Sequence, residues 1–410
     1  MVGHGLGTVR RVLDADRPLT VGYFVRRYPE LSQTFVRLEV AALRRLGARV
    51  LVGSLHRAAL SSNDPDHSVV RDLGTDRAAV ARAGARSALQ PVRAAKAAAA
   101  MRKLGDEFGR GADAVRPDGL LVLADRWQRL GVEHVHAHFA WEGAAAAMVM
   151  ARLLGCTWSV TVHANDMYSQ RLHLDVKLAD ADRVITVCEY NRRRLIELEG
   201  VTGDVPIVIC GVEEAPAATG PKLVDVVAVG RLVEKKGFDL LVTAAALLEK
   251  RHPDLRVSII GDGPERESLQ QLIDGLGVGG IVTLHGALEH DLVLEHISAA
   301  RVAALPCRIG SDDDRDSMPV VVKEAMMRAV PVVGTDVAAM SEMVDSECGR
   351  LVRPNDPAAL ADAIGEILDD ADLRAALGAS ARDRALDRFV IDDHVEVLYR
   401  EFMAMARPHP

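Results

Sequence analysis

The sequence predicts an α/β protein of two successive doubly wound domains with parallel sheets. Three observations predict it. Short β-branched runs alternate with longer helical stretches. The alternation stops at an aperiodic segment near mid-chain and then begins again. At 410 residues the chain is long for one core and comfortable for two.

In the first half the strand candidates are "TVGYFV" (20–25), "ARVLVGSL" (48–55), "HVHAHF" (134–139), "WSVTVHA" (158–164), "RVITVCE" (183–189) and "IVIC" (207–210). A helix over 32–46, with Ser32 as N-cap, fits between the first two. "GVEEAPAATGPK" (211–222) mixes Pro, Gly, Ala and acids without periodicity and reads as a linker. Beyond it, "LVDVVAVGRL", "RVSIIGDGP", "IVTLHGAL", "ARVAALPC" and "PVVGTDV" read as buried strands, separated by helical stretches such as 238–250, 265–275 and 357–368. The expected plan is a domain over 1–210, a linker over 211–222, a domain over 223–390 and a final helical segment over 391–410. Ligands of such sheets bind beyond the carboxyl ends of the strands.

Composition narrows the function. Apolar residues make up 49% and charged residues 26%, an ordinary soluble balance. A net charge of −8 excludes a general nucleic-acid binder. No run of about 18 uncharged apolar residues exists to span a membrane. The opening "MVGHGLGTVRRVLDADRP" lacks the apolar centre of a secretory signal. Five scattered cysteines without a CxxC pair suit reduced thiols in the cytoplasm, not a disulfide framework or a zinc site. One segment breaks the rhythm: residues 76–105 are alanine-rich, carry seven Arg and Lys from Arg77 to Lys103 with no acid between, and are divided by Pro91. A solvated helical face explains it, and so does a basic surface for an anionic acceptor or lipid headgroup.

Candidate chemistry collects at strand ends. "VGRLVEKKG" places Gly230, Arg231 and Lys236 at a strand–turn–helix junction able to hold a phosphate or diphosphate. "IIGDGPE" adds Gly261 and Gly263, which permit a tight turn and close ligand approach. No GxGxxG or GxxxxGK[ST] supports a dinucleotide or P-loop reading. In "DRDSMPVVVKEAM" Pro319 suits a helix start, with Asp316 or Ser317 as cap. Glu324 follows about 7 Å along that helix at about 1.5 Å per residue. Lys323, Glu324 and Arg328 form a solvated face with an i,i+4 pair on one reading. On the other, Asp316 and Glu324 bracket a phosphate-sized gap, with carboxylates for the hydroxyl ends and cations for the middle of a nucleotide sugar.

"VGRLVEKKGFDLL", "IIGDGPERESL" and "DSMPVVVKEAM…VPVVGT", in this order and spacing, resemble the nucleotide-sugar half of retaining GT-B glycosyltransferases of family GT4. "RRYPELSQTFVRLEVAALRRLGARV", "HVHAHFA" and "TVHANDMY" resemble the branch acting in exopolysaccharide (colanic-acid-type) and related glycoconjugate synthesis. The resemblance implies two Rossmann-like domains facing across a deep cleft, with a C-terminal helix crossing back to the first. It implies a nucleotide diphosphate sugar donor, a hydroxyl acceptor (a glycan, lipid-linked glycan or small metabolite), and neither metal nor cofactor. By position, Arg231 and Lys236 hold the diphosphate, Glu324 the ribose hydroxyls and Asp316 the sugar. Gly230, Gly261, Gly263 and Gly286 belong to the donor side, as do Ser317, Met318, Pro319 and Val320. His163 falls where the family places a histidine beside the transferred sugar, and Asp166 is its expected partner.

The sequence departs from the family pattern in places. Asp316 and Ser317 replace the usual Glu-Gly, and Ser32, Gln33 and Thr34 stand where many relatives carry a Gly-Gly loop. These three, with His138 and Asp166, are the acceptor-side candidates. His134, His136 and His138 alternate along one strand and therefore share a face. Such a face suggests a metal triad, which the metal-independent family argues against. The resemblance favours a cytoplasmic enzyme, with peripheral contact at the inner membrane face. The alternatives are a GT-B nucleotide-sugar epimerase or hydrolase and a non-catalytic nucleotide-sugar-binding protein.

Overall fold

Two six-stranded parallel sheets organise the computed structural model, which describes residues 18–30, 33–59, 62–109, 111, 114–169 and 171–406. The first sheet contains β1 (Thr20–Tyr28), β2 (Arg49–Arg57), β3 (His67–Val69), β4 (His134–His138), β5 (Thr157–Val162) and β6 (Arg183–Thr186), in the order β3-β2-β1-β4-β5-β6. The second contains β7 (Val224–Val229), β8 (Val257–Ile260), β9 (Val282–Gly286), β10 (Ala300–Leu305), β11 (Val332–Thr335) and β12 (Gly349–Val352), in the order β12-β11-β10-β7-β8-β9. Counted from its own first strand, each sheet runs 3-2-1-4-5-6. This is the doubly wound order, whose switch point lies between strands 1 and 4.

One compact unit holds the chain up to Val187, Arg192–Val208 and the residues from Asp392 on; the other holds Cys188–Asn191 and Ile209–Ile391. In the first unit α1 (Thr34–Arg45) follows β1. The expected cap Ser32 lies outside the described residues, and Gln33, at the N-cap position, makes no side-chain cap bond. Next come α2 (Arg77–Ala88), capped by Asp76 accepting from the Ala79 N–H, and α3 (Pro91–Lys103), with Pro91 in its first turn. Proline is tolerated there because that N–H has no intrahelical partner. Then follow α4 (Pro117–Arg129), α5 (Glu142–Leu154) and α6 (Ala164–Tyr168). The alanines of α5 let it lie close against the sheet, and Ala144–Ala147 are all buried.

The basic segment does not behave as one surface. Arg86 is bound by Asp125 through contacts of 2.7 and 2.8 Å. Arg93 is half-buried and donates to Gln90 at 2.9 Å. Arg77, Arg82, Lys96, Arg102 and Lys103 remain exposed, and Leu89 at the end of α2 and Val92 in the first turn of α3 are 82% and 66% exposed.

In the second unit α7 (Phe238–Leu248), α8 (Arg266–Leu276), α9 (Val320–Met327), α10 (Pro357–Asp369) and α11 (Ala371–Arg388) accompany the sheet. Val226, Ile259, Phe238, Leu241, Leu248 and Ile364 belong to its core. Such burial is worth about 1.5–3 kcal/mol for each large apolar side chain. The last helix, α12 (Ile391–Met405), returns to the first unit. There the Thr157 hydroxyl donates to the Met405 carbonyl at 3.1 Å, and Phe402 packs on the rings of His134 and His136 at 4.9 and 5.0 Å.

The sequence reading missed β3 and β12 and overcalled one strand. β3 has only three residues, at a sheet edge. β12 begins at Gly349, where an added Cβ would stand 2.3 Å from the Val332 carbonyl oxygen. "IVIC" (207–210) contributes a single bridge, Thr186 to Ile207, instead of a strand.

No helix among the described residues is long and apolar enough to cross a membrane.

The tightest packing requirement in the first sheet is at Gly22, where an added Cβ would lie 2.2 Å from the Trp127 ring. Gly22→Ala is expected to cost about 1–3 kcal/mol by overpacking. Trp127→Leu should recover part of that loss in the double variant, as a non-additive term in urea unfolding. Strict additivity would contradict the contact.

Candidate functional site

Three strand ends of the second sheet are bound together by their backbones. Gly230, after β7, donates to the Ile260 carbonyl at 3.0 Å, Gly261, after β8, to Gly286 at 2.8 Å, and Leu232 to Asp262 at 3.0 Å. Gly261 has φ +140°, and a Cβ there would stand 1.9 Å from the Gly230 oxygen. At Gly263 the same test meets the Leu232 oxygen at 2.3 Å. Backbone approach alone therefore accounts for glycine at 261 and 263. Their identity is no independent sign of a ligand.

What these ends support is a cluster of charge. After β7 the chain makes a 3₁₀ turn, Glu234–Lys236, closed by Gly237 in the left-handed region at φ +62°. The loop after β10 braces that turn. Arg308 donates its N–H to the Lys235 carbonyl at 2.9 Å and its Nε to the Glu234 carbonyl at 3.1 Å, while the Ser311 hydroxyl donates to the Glu234 carboxylate at 2.6 Å. Held this way, Lys235 contacts Asp314 at 2.9 Å and Asp316 at 3.2 Å, and Lys236 pairs with the other oxygen of Asp316. Burial alone would raise the Asp316 carboxyl, but Lys236 and Lys235 outweigh it and hold the group well below the usual carboxylate range. Burial would likewise lower Lys236, and Asp316 reverses the direction. The charge of exposed Arg231 reaches Lys236 and opposes its protonation. Two lysines thus share two carboxylates, with the charge of Arg231 close enough to be felt at Lys236.

Helix α9 corrects the reading of its own start. It begins at Val320, with Pro319 at the N-cap position and no side-chain cap. Neither Asp316 nor Ser317 caps it. Asp316 is taken by the lysines, and the Ser317 hydroxyl accepts from Asn191 at 3.3 Å. Ser317, Met318 and Pro319 are buried, which fixes the path of the chain into the first free N–H groups of the helix. The solvated-face reading also falls. Lys323 is fully buried and donates to the Cys210 carbonyl, its ammonium pushed down to about 8 by burial. Glu324 is 7% exposed, and its carboxylate lies 3.6 Å from His290. Arg328 reaches only the main-chain carbonyl of Glu324, at 3.2 Å, so the expected side-chain pair is not formed. Burial raises the Glu324 carboxyl to about 7, against the pull of Arg328 and Lys323.

In the first unit the alternating histidines do share a face, and they spend their nitrogens on neighbours. His134 meets the hydroxyls of Thr157 and Ser159, both at 2.8 Å, and burial takes its pKa down to about 3. His136 meets Ser159 at 2.8 Å and Thr161 at 3.2 Å. His138 contacts Glu39 and the Tyr23 hydroxyl, both at 2.9 Å, and His163 at 3.1 Å. The donor atoms of Glu39, His136 and His138 lie within 4.8 Å of one another, the spacing of a metal set. In this structure Glu39 and His138 contact each other directly, and His136 meets hydroxyls.

Two acceptor-side assignments change on this geometry. His138 is 1% exposed and Asp166 is fully buried, so neither side chain is available to touch an acceptor. Asp166 instead accepts from the backbone N–H groups of His163 at 2.8 Å and Ala140 at 3.0 Å, fixing the start of α6. His163 itself is half-buried beyond the end of β5. Gln33 and Thr34 are half-buried at the start of α1, while Ser32 is not among the described residues. Lys235, Asp314 and Arg308 were missed in the sequence. Lys235 had a signal, since it neighbours Lys236 in "EKKG"; the other two depend on a loop path that no motif marks.

Comparison with known proteins places this geometry. A family model described as "Glycosyltransferase Family 4" matches residues 32–215, and one described as "Glycosyl transferases group 1" matches residues 213–384. A GDP-mannose-dependent alpha-(1-6)-phosphatidylinositol monomannoside mannosyltransferase of Mycolicibacterium smegmatis is 31% identical over 293 residues, 65% of this chain and 76% of that protein. WcaL of Escherichia coli K12, a candidate colanic acid biosynthesis glycosyltransferase, is 30% identical over 184 residues, 44% of each chain. The structure of Anabaena HepE in complex with UDP and glucose matches with a TM-score of 0.68 at 16% identity, over 94% of this chain and all of that one, a likeness of fold. This chain spans 59% and 58% of two longer solved neighbours. The fold is therefore GT-B, and the class is a glycosyltransferase that moves a sugar from a nucleotide sugar. The chain belongs to the GT4-type glycosyltransferases.

Glu324 makes a pH-dependent contribution whose sign is unusual for an acid. Its folded value of about 7 lies above the ordinary 4.5, so the folded state keeps a proton that the unfolded chain loses. The stability this lends is complete below the ordinary value and drains away as pH rises towards 7. Glu324→Gln should match the parent near pH 5 and exceed its stability at pH 8, by about 3 kcal/mol at most. Urea unfolding at both pH values measures it, and a variant no more stable at pH 8 would contradict the buried-carboxyl account.

Proposed function

We propose that the protein is a retaining glycosyltransferase that carries a sugar from a nucleoside diphosphate to a hydroxyl acceptor, at the cytoplasmic face of a membrane. The observation that carries the proposal is the cluster of Lys235 and Lys236 with Asp314 and Asp316, with Arg231 after the same strand, in the unit that also buries the carboxyl of Glu324 on α9. A nucleotide sugar offers hydroxyls at both ends and two phosphates between. Glu324 takes the ribose hydroxyls, the cations and the N–H groups of Met318 and Val320 take the diphosphate, and Asp316 orients the sugar. His163, by its family position, meets the transferred sugar.

The chemistry needs no protein nucleophile on this reading. The glycosidic C–O bond to the diphosphate breaks on the face that the acceptor oxygen attacks, through an oxocarbenium-like state. The acceptor's proton passes to the departing phosphate oxygen. Preorganised cations stabilise the charge that develops there, which is where electrostatic catalysis is strongest. GDP-mannose, named for the mycobacterial relative, and UDP-glucose, whose parts are bound by HepE, are the first donors to try. The exposed cations and apolar tips of α2 and α3 support an acceptor carried on an anionic lipid.

Nucleotide titrations test the donor site. Glu324→Gln should weaken nucleoside diphosphate binding by about tenfold or more, since hydrogen bonds to a charged group are worth about 1.5–3 kcal/mol. Lys236→Ala should weaken the diphosphate more than the nucleoside. Asp316→Asn should spare the diphosphate, because it releases both lysines, and should lower transfer. Parental nucleotide binding in Glu324→Gln would return that residue to a purely structural role.

A second test concerns the acceptor. Arg82→Glu with Lys96→Glu should raise the acceptor KM several-fold and leave donor affinity unchanged. Arg86 and Arg93 are unsuitable for this test because their partners Asp125 and Gln90 tie them into the fold. Unchanged acceptor kinetics would make the pair of helices an ordinary solvated surface.

A further inference from the structure

Three side chains in the first unit form a continuous chain from the interior to a partly exposed ring, and a fourth fixes the backbone of that ring's residue. Glu39 sits on α1 with its side chain 3% exposed, and one carboxylate oxygen lies 2.9 Å from Nε2 of His138. Nδ1 of the fully buried His138 ring lies 3.1 Å from Nε2 of His163. The backbone of His163 is held in turn by Asp166, at 2.8 Å. These residues come from three separate parts of the chain, α1, the end of β4 and the turn into α6.

The proton positions follow from what each atom can do. An ionised carboxylate only accepts, so Glu39 requires a proton on Nε2 of His138. A neutral imidazole carries one proton, which leaves Nδ1 of His138 as an acceptor. That lone pair faces His163 and selects the Nε2–H form of the second ring. The Asp166 backbone N–H, donated to the His163 side chain, favours the same form, so the carboxylate behind His138 and the start of α6 hold the ring from two sides.

Backbone strain at the same place points to function independently. Phe139 is a non-glycine residue with φ +66°, in the left-handed region that costs side chains energy. In that conformation its ring stacks on His163 at 4.3 Å and on Trp141 at 4.4 Å. Phe35, from α1, lies 5.4 Å from the same histidine. A ring needed only to fill space would not justify a strained neighbour and a buried charged chain behind it.

We propose that Glu39, acting through His138, is a positioning residue that holds His163 in one orientation and one tautomer for contact with the transferred sugar. The proposal rests on the reading that His163 meets the sugar. Glu39 therefore lowers the barrier of the transfer step while contributing nothing to donor binding.

The test uses the full chain with 15N-labelled histidine, and hydrolysis or transfer from UDP-glucose and GDP-mannose as the activity. In the parent protein the ring nitrogens should show Nε2 protonated and Nδ1 unprotonated in both His138 and His163. An Nδ1–H form of His163 would overturn the proposal with no variant needed. Glu39→Gln keeps the shape but offers both a donor and an acceptor, so His138 should show mixed tautomers and His163 should lose its fixed hydrogen bond to it. Its kcat should fall by about 10–100-fold, as for other residues that orient a ligand from behind, with donor KM within about twofold. Glu39→Asp, which restores the charge one carbon shorter, should recover part of kcat. Parental tautomers with a parental kcat in Glu39→Gln would sink the relay. Full activity in His163→Ala would sink the proposal through its underlying reading instead, leaving the measured tautomers as a structural feature.

Discussion

A parallel strand cannot turn straight back into its neighbour; it must cross over, usually by a helix, and re-enter from the same side. Every carboxyl end of such a sheet therefore opens onto one edge. The rest of this molecule depends on that constraint, applied twice. In the second unit it brings Gly230 after β7, Gly261 after β8 and Gly286 at the end of β9 into backbone contact, and it aims the loop after β10 at the turn that carries Lys235 and Lys236. In the first unit it delivers His138 and His163 from the ends of adjacent strands to one point. The chemistry is local, but its address is set by topology.

The charges at these addresses are costly ones, and the structure shows how each is compensated. Asp316 stays ionised in a desolvated place because two lysines share it. Glu324 has only the longer His290 contact, at 3.6 Å, among the described residues, and its carboxyl rises to about 7 as burial dictates. A buried carboxyl with so weak a partner is expensive for a core and useful for a site, since hydroxyl donors from a ligand can supply what the fold withholds. Lys323, one residue earlier and just as buried, shows the structural alternative: its ammonium goes to the Cys210 carbonyl and serves only to tie α9 to the chain entering the second unit.

Much of this was legible in the sequence. Ten of the twelve strands announce themselves as β-branched runs, and the break at 211–222 separates the two alternations. The quoted motifs place Arg231, Lys236, Asp316 and Glu324 at strand ends and helix starts, where the fold puts them. What stayed illegible depends on three-dimensional partners. Nothing local says that Lys323 turns inward while Arg231 turns out, that Asp316 meets lysines instead of capping α9, or that Glu39 reaches His138 across 99 residues of sequence. Short edge strands such as β3 lack enough residues to show a period. The glycines at 261 and 263 looked like ligand signals, yet backbone contact already requires them.

The central claim is that the second unit recognises a nucleotide chiefly through its diphosphate, with Glu324 on the ribose. Calorimetric titration of the intact protein with a nucleoside, its monophosphate and its diphosphate, in the uridine and guanosine series and at two salt concentrations, addresses it most directly. The account requires that in one series the diphosphate bind at least about tenfold tighter than the nucleoside, with an advantage that shrinks as salt rises. Equal affinities for all three, or an advantage indifferent to salt, would contradict it.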